Sequence, residues 1–232
     1  KPFYGPYVPD SIKNNLNTLL RKYSVAGIVT EILDLKYLYV ETHVNAYYNP
    51  NLAANADAVK TVVSNNINTY ANSSEMNKYG AKFKYSKFQT VVDNSNDSIT
   101  SNITKIEIRR NLKPSLNTNA EYELCFGNSF YIKNNDGYNI KSSGFNVFGV
   151  ANTVYLSDVP NEEGTMGDLF LFTLESRNNP KVISSSVGTV DYERGEIIIK
   201  PINISNTSKQ VQNIPIIEVS ACPQSNDVIG LQ

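Results

Sequence analysis

The chain has 232 residues, a formal net charge of −1 and only 19% charged residues. That length supports one large domain or two small ones with a real core. It brings no basic surplus to neutralise phosphates, which argues against nucleic-acid binding, and no apolar run approaches the ~18 residues that a membrane-spanning helix needs.

Polarity is carried instead by Asn, Ser and Thr, alongside 15 tyrosines. Uncharged polar surface with many tyrosines suits permanent protein contacts; it equally suits a host whose proteins are rich in asparagine. Cys125 and Cys222 lie far apart in no metal or redox spacing, so they are expected as two semi-buried thiols without a bridge. No charged-then-apolar signal segment opens the chain. It begins at Lys1 rather than Met and is expected to be a fragment of a longer polypeptide. Triplets such as Asn72-Ser73-Ser74 and Asn102-Ile103-Thr104 are chance occurrences in so asparagine-rich a chain.

Lys1 to Pro9 holds three prolines and reads as an extended lead-in. Asp10 or Ser11 is expected to cap a helix with Ile12, Leu16, Leu19, Leu20 and Tyr23 on one side. Ser24 to Leu33, an apolar run containing Gly27, reads as a strand or a bulged strand. The stretch from Leu35 to Leu112 organises the rest. It opens with an alternating run, Tyr37 to Tyr48, placing Leu38, Val40, Val44 and Ala46 on one face and Tyr39, Glu41, His43 and Asn45 on the other. After a turn at Asn49-Pro50-Asn51, with Asn51 as expected N-cap, a helical stripe runs through Leu52, Ala56, Val59, Val63, Ile67 and Tyr70. Asn72 to Lys84 is a polar connector. Ser86-Lys87-Phe88-Gln89 resembles a capping box opening a second helix to Asp93. A strand from Asn102 to Leu112 closes the unit, with Ile106, Ile108 and Leu112 on one face.

Lys113-Pro114 and Ser115 to Asn119 form the expected domain boundary, dividing residues 1–113 from 114–232. Beyond it come short alternating strands: Tyr122–Phe126, Phe130–Lys133, Asn139–Ser142, Thr153–Leu156, Leu169–Leu174, Val182–Ser186, Thr189–Tyr192, Glu196–Lys200 and Ile214–Cys222. Hairpin turns are expected at Asn135-Asp136-Gly137 and Glu193-Arg194-Gly195. Pro201, Pro215 and Pro223 mark strand starts or edges. The fold class that results is α+β: an N-terminal helix, a strand-helix-helix-strand α/β unit, and an antiparallel β-sandwich-like second domain.

The residues offer little chemistry. His43 is the one histidine, so any Ser-His-Asp or Cys-His device would need it. No nucleophile elbow surrounds the serines or cysteines, and His43 reads as a surface or interface residue. Asp93-Asn94-Ser95-Asn96-Asp97 lacks the glycine and terminal glutamate of a calcium loop and reads as a turn. Glu162-Glu163-Gly164 reads as solvated. Neither the Walker nor the dinucleotide glycine spacing occurs. The expectation is no enzyme, with no catalytic, cofactor-binding or metal residues. Tyr37, Tyr39, Tyr47, Tyr48, Tyr70, Tyr79 and Tyr85 leave a second possibility, a receptor- or carbohydrate-binding module of a tail protein or adhesin, but read first as core edge and protein interface.

Tyr37–Pro50, Ala56–Tyr70, Phe83–Val92 and Ile99–Leu112 together resemble the baseplate J-like proteins of contractile-tailed phages. More specifically they resemble the carboxy-terminal half of the baseplate wedge hinge-pin subunit of T-even-like phages. The pieces that carry this are Tyr39-Val40-Glu41-Thr42-His43-Val44, Phe83-Lys84-Tyr85-Ser86-Lys87-Phe88 and Ser98-Ile99-Thr100-Ser101-Asn102-Ile103-Thr104. Val187 to Ile197 is similar to a hairpin common in tail and baseplate proteins. The resemblance spans most of Ser24 to Asp227 and carries no catalytic residue across. It implies a virion structural subunit, made late and assembled in the host cytoplasm into the tail baseplate. In that family two copies pair within each wedge and the pairs join into a ring around the hub, with other wedge subunits attached. The ring stays connected during the rearrangement that triggers tail contraction. The partners implied are a second copy and other wedge subunits, with no nucleic acid, membrane or small-molecule substrate.

Overall fold

Two lengths of chain form separate compact units, residues 1–37 and residues 38–232. The computed structural model describes residues 7–25, 27–32, 34, 36–53, 55–132, 138–175 and 179–230.

In the first unit, helix α1 spans Asp10–Arg21. Neither expected cap acts as one. Pro9 holds the N-cap position with no side-chain bond, and its carbonyl accepts from the amides of Ile12 and Lys13. Asp10 begins the helix, where a carboxylate suits the positive end of the dipole. Lys13 Nζ reaches Asp34 Oδ2 at 2.6 Å, and Asp34 Oδ1 accepts from the Val8 amide. The strand expected over Ser24–Leu33 does not form among the described residues. Gly27 sits at φ +93°, outside the β region of a regular strand.

The second unit opens with the expected strand-helix-helix-strand order. Strand β1 spans Tyr39–Tyr48, helix α2 Ala56–Ala71, the short strand β2 Lys82–Phe83, helix α3 Tyr85–Asp93 and strand β3 Ile99–Leu112. β1 and β3 pair antiparallel, with Glu41 opposite Glu107 and His43 opposite Lys105. Ile106, Ile108 and Leu112 of β3 are buried in one cluster with Val59 and Val63 of α2 and with Phe88 and Val92 of α3. Each such side chain contributes roughly 2 kcal/mol by leaving water.

Both expected caps in this unit are corrected. α2 starts four residues later than the apolar stripe, and Asn55, not Asn51, accepts from the Ala58 amide at 2.7 Å. An asparagine four residues earlier serves the same stripe equally well on paper, so periodicity does not choose between them. The Ser86/Gln89 box does not form, since α3 starts at Tyr85 with no cap from its own N-cap residue Lys84. The donor is satisfied from the far end of the chain: Asp227 Oδ1 accepts from the Tyr85 amide at 2.7 Å.

The later strands are β4 (Asn119–Cys125), β5 (Lys141–Ser142), β6 (Phe145–Val147), β7 (Val154–Pro160), β8 (Met166–Leu174), β9 (Pro180–Asp191), β10 (Glu196–Thr207), β11 (Lys209–Val211), β12 (Ile214–Ala221) and β13 (Val228–Ile229). Phe130 makes an isolated bridge to Pro223 rather than opening a strand. The Asn135-Asp136-Gly137 turn lies outside the described residues. The two strands expected either side of Val187-Gly188 are one continuous β9. Pro201 lies inside β10, where the register with β4 shifts between Ile199 and Ile202; a residue without an N–H fits such an irregularity.

These strands do not stack as two facing sheets. Six of them follow the order β4-β10-β6-β7-β8-β9, and β9 pairs with β10, so the sheet curls and closes on itself. Gly188 makes the closure possible. It faces Leu169 of β8 and Ile199 of β10, and a Cβ there would stand 2.1 Å from the Ile198 carbonyl oxygen and 2.9 Å from Leu169 Cδ1. The Glu193-Arg194-Gly195 turn forms as expected, with Gly195 at φ +67°. The expected division after residue 113 falls where the chain passes from one sheet to the other. The first sheet is finished only by the end of the chain: β12 pairs with β3, Ile217 opposite Leu112 and Ala221 opposite Ile108, giving the order β1-β3-β12-β11, with β5 also on β12.

Replacing Asn55 by alanine is expected to cost about 1 kcal/mol, and Asp227→Ala a similar amount, whereas Asn51→Ala leaves stability unchanged. Urea-unfolding midpoints of the three variants check this.

Candidate assembly surfaces

The side of the first sheet away from α2 and α3 is polar and built on three strands. Its centre is Arg109 of β3. The guanidinium donates through Nε to Glu41 Oε1 of β1 at 2.5 Å, and through Nη1 to Glu218 Oε1 of β12 at 3.0 Å and to Asn111 Oδ1 at 2.5 Å. It also lies 4.4 Å from the centroid of the Tyr39 ring. One planar cation therefore ties three strands, an arrangement suited to the forked donors of arginine. Lys141 of β5 reaches Glu107 at 3.5 Å on the same side. Sequence alternation put Arg109 and Glu41 on the polar faces of their strands. It gave no signal for Glu218, because the pairing of β12 with β3 is not local.

His43 is exposed on this face, opposite Lys105, with Glu41 drawn to Arg109 rather than to it. Neither cysteine is in a disulfide, and both are half-buried. Burial holds the Cys222 thiol above its ordinary pKa, with Glu107 adding to the shift. The acidic turn at Asp93–Asp97 is knitted by Asn96, whose side chain accepts from the Ser98 amide, and by Asp93, which accepts from Asn102. Among the described residues no three His, Cys, Asp or Glu side chains gather in a way that would hold a metal ion.

Within the second unit the tyrosines named above are put to different uses. Tyr39 is covered by Arg109, Tyr85 donates to the Thr104 carbonyl at 2.9 Å, and Tyr70 packs on Phe88. Tyr47 and Tyr79 are exposed. A cavity of about 150 Å³ is lined by Asn128, Ser129, Gln224, Ser225 and Asp227. Its polar groups are already engaged. Asn128 bridges the backbone of Ile229 through both side-chain atoms, and Asp227 caps α3.

One ionisable pair lies deep inside the curled sheet. Tyr192 donates to Asp158 Oδ2 at 2.6 Å, and the Ile140 amide donates to Oδ1 at 2.7 Å. Asp158 is fully buried. Burial raises its pKa despite these bonds, and burial with the neighbouring carboxylate raises that of Tyr192. Asp158 shares the inward parity of Val154 and Leu156, so the alternation itself carried the signal, but the expected strand stopped at Leu156. Both side chains are buried, and their hydrogen bond fixes β7 against the end of β9.

Two surfaces remain for partners. α1 has no buried residue, and Leu16, Leu19, Leu20 and Tyr23 are all exposed. In the second unit, β1 stands at the end of its sheet. Its second edge meets no strand among the described residues.

With a raised folded pKa, Asp158 stays protonated after the unfolded chain has ionised, so stability is highest below the ordinary carboxylate pKa and falls as pH rises through the shifted one. Asp158→Asn is expected to flatten this fall above the ordinary carboxylate pKa of about 4, read from urea midpoints. Asp158→Ala leaves the Tyr192 hydroxyl and Ile140 amide without acceptors and costs about 3 kcal/mol.

Residues 36–111 match the family profile described as baseplate structural protein gp6, C-terminal domain III. No curated protein matches the chain.

Proposed function

On the premise that residues 36–111 are a structural domain of the phage baseplate, we propose that the chain is the carboxy-terminal part of a baseplate wedge subunit that works by self-association. Two copies pair within a wedge, and pairs link into a ring around the hub of a contractile tail. The ring stays connected while the baseplate rearranges and the sheath is triggered, with other wedge subunits attached to it.

The observation that carries this reading is the coincidence of the matched segment with the β1-to-β3 unit, whose far edge and polar face lie on the surface. Its support is also chemical. The one histidine is exposed and has no carboxylate in an ion pair with it among the described residues, and the Tyr192–Asp158 pair is buried. Such a molecule transmits force through contacts and transforms no compound. A ring that is pulled and turned needs contacts at least of the stable size class, more than about 1,200 Å² in total, and two kinds of contact on one polypeptide, one within the pair and one between pairs.

Sedimentation equilibrium across a wide concentration range is expected to give a mass that rises to that of two copies. A strict monomer at the highest concentration contradicts the reading.

A further inference from the structure

The direction of the backbone groups along β1 identifies what its outer edge offers. The Asn49 amide donates to the Ser98 carbonyl, and the Tyr47 carbonyl accepts from the Thr100 hydroxyl. Both partners are on the β3 side. Because N–H and C=O of one residue point the same way along a strand and reverse at the next, the odd-numbered residues of β1 are spent on β3. The even-numbered ones, Val40, Thr42, Val44, Ala46 and Tyr48, present their donors and acceptors outward.

Along β1 itself, several of the usual protections of an edge strand are missing. β1 is ten residues long, with no proline and no lysine. Its one charge, Glu41, is held by Arg109. The register break near its end inserts the extra residue in β3, not in β1. Such an edge is a template for another strand.

The side chains say which strand. Val40, Val44, Ala46 and Tyr48 pack against the core yet remain half-exposed, whereas Ile106 and Ile108 beside them on β3 are fully buried. A bare peptide added at this edge would leave its own inner face uncovered. A second copy brings its own α2 and α3, and so continues the helical layer as it continues the sheet.

We infer that the outer edge of β1 pairs antiparallel with β1 of a second copy about a two-fold axis through Val44. This rests on the self-association proposed above and names its surface. In this register Val40 lies opposite Tyr48, Thr42 opposite Ala46 and Val44 opposite itself, each pair exchanging outward backbone bonds. Between them, on the polar face, His43 lies opposite Asn45 and Glu41 opposite Tyr47. No like charges oppose.

The test uses the full chain. His43 and Asn45 are exposed and face each other only across the axis, at a separation typical of non-hydrogen-bonded pairs. Under mild oxidation an equimolar mixture of His43→Cys and Asn45→Cys chains is expected to give a disulfide heterodimer in at least tenfold excess over either variant alone. Thr42→Pro removes an outward donor and no bond to β3, and is expected to weaken self-association at least tenfold while the circular dichroism stays unchanged. A chain that self-associates but gives no cross-link in the mixture places the contact elsewhere and overturns the β1 edge. A chain that stays monomeric at every concentration overturns this inference together with the reading on which it rests.

Discussion

The fold depends on the position of β3. This strand of fourteen residues is the one that both ends of the second unit must reach. β1 arrives on one side from close by in sequence, and β12 arrives on the other after the whole curled sheet has been traversed. Its inner face carries Ile106, Ile108 and Leu112 against α2 and α3, and its outer face carries Arg109, which grips both neighbours. The end of the chain strengthens the arrangement: β13 pairs with β2, and Asp227 caps α3. The matched segment 36–111 is therefore locally ordered by its own sequence and completed by residues outside it.

That completion is one-sided. Toward β12 the sheet is closed by β11 and β5. Toward β1 it ends in a strand whose inner side chains are half-covered and whose outward backbone groups face no strand among the described residues. The curled sheet has its own fixed points. It is pinned by the close approach at Gly188 and by the buried Tyr192–Asp158 bond.

What was legible in the sequence follows from the range of the interaction. The α/β unit, its strand faces and its helix stripes were readable from Leu38 to Leu112, because period 2 and period 3.6 are local. The Glu193–Gly195 turn was readable for the same reason. The caps were not. Asn51 and Asn55 satisfy the same rule, and Asp227 serves α3 from more than a hundred residues away. The strand expected over Ser24–Leu33 does not form among the described residues, where Gly27 sits at positive φ. Closure of the second sheet was hidden, since alternation specifies two faces and says nothing of which edges meet. The Arg109 cluster was half visible: its strand face was, its partner on β12 was not. The family resemblance was drawn from the local unit together with the Val187–Ile197 hairpin, and the match over residues 36–111 covers the local unit.

The most direct measurement is amide hydrogen exchange along β1 at low and high protein concentration. With a neighbouring copy on the outer edge, the amides of Thr42, Val44 and Ala46 exchange rapidly in dilute solution and become protected as concentration rises. Those of Glu41, His43 and Asn45, bonded to β3, stay protected throughout. Equal and unchanging exchange at Thr42, Val44 and Ala46 across the whole range, in a chain shown to self-associate, would contradict the account.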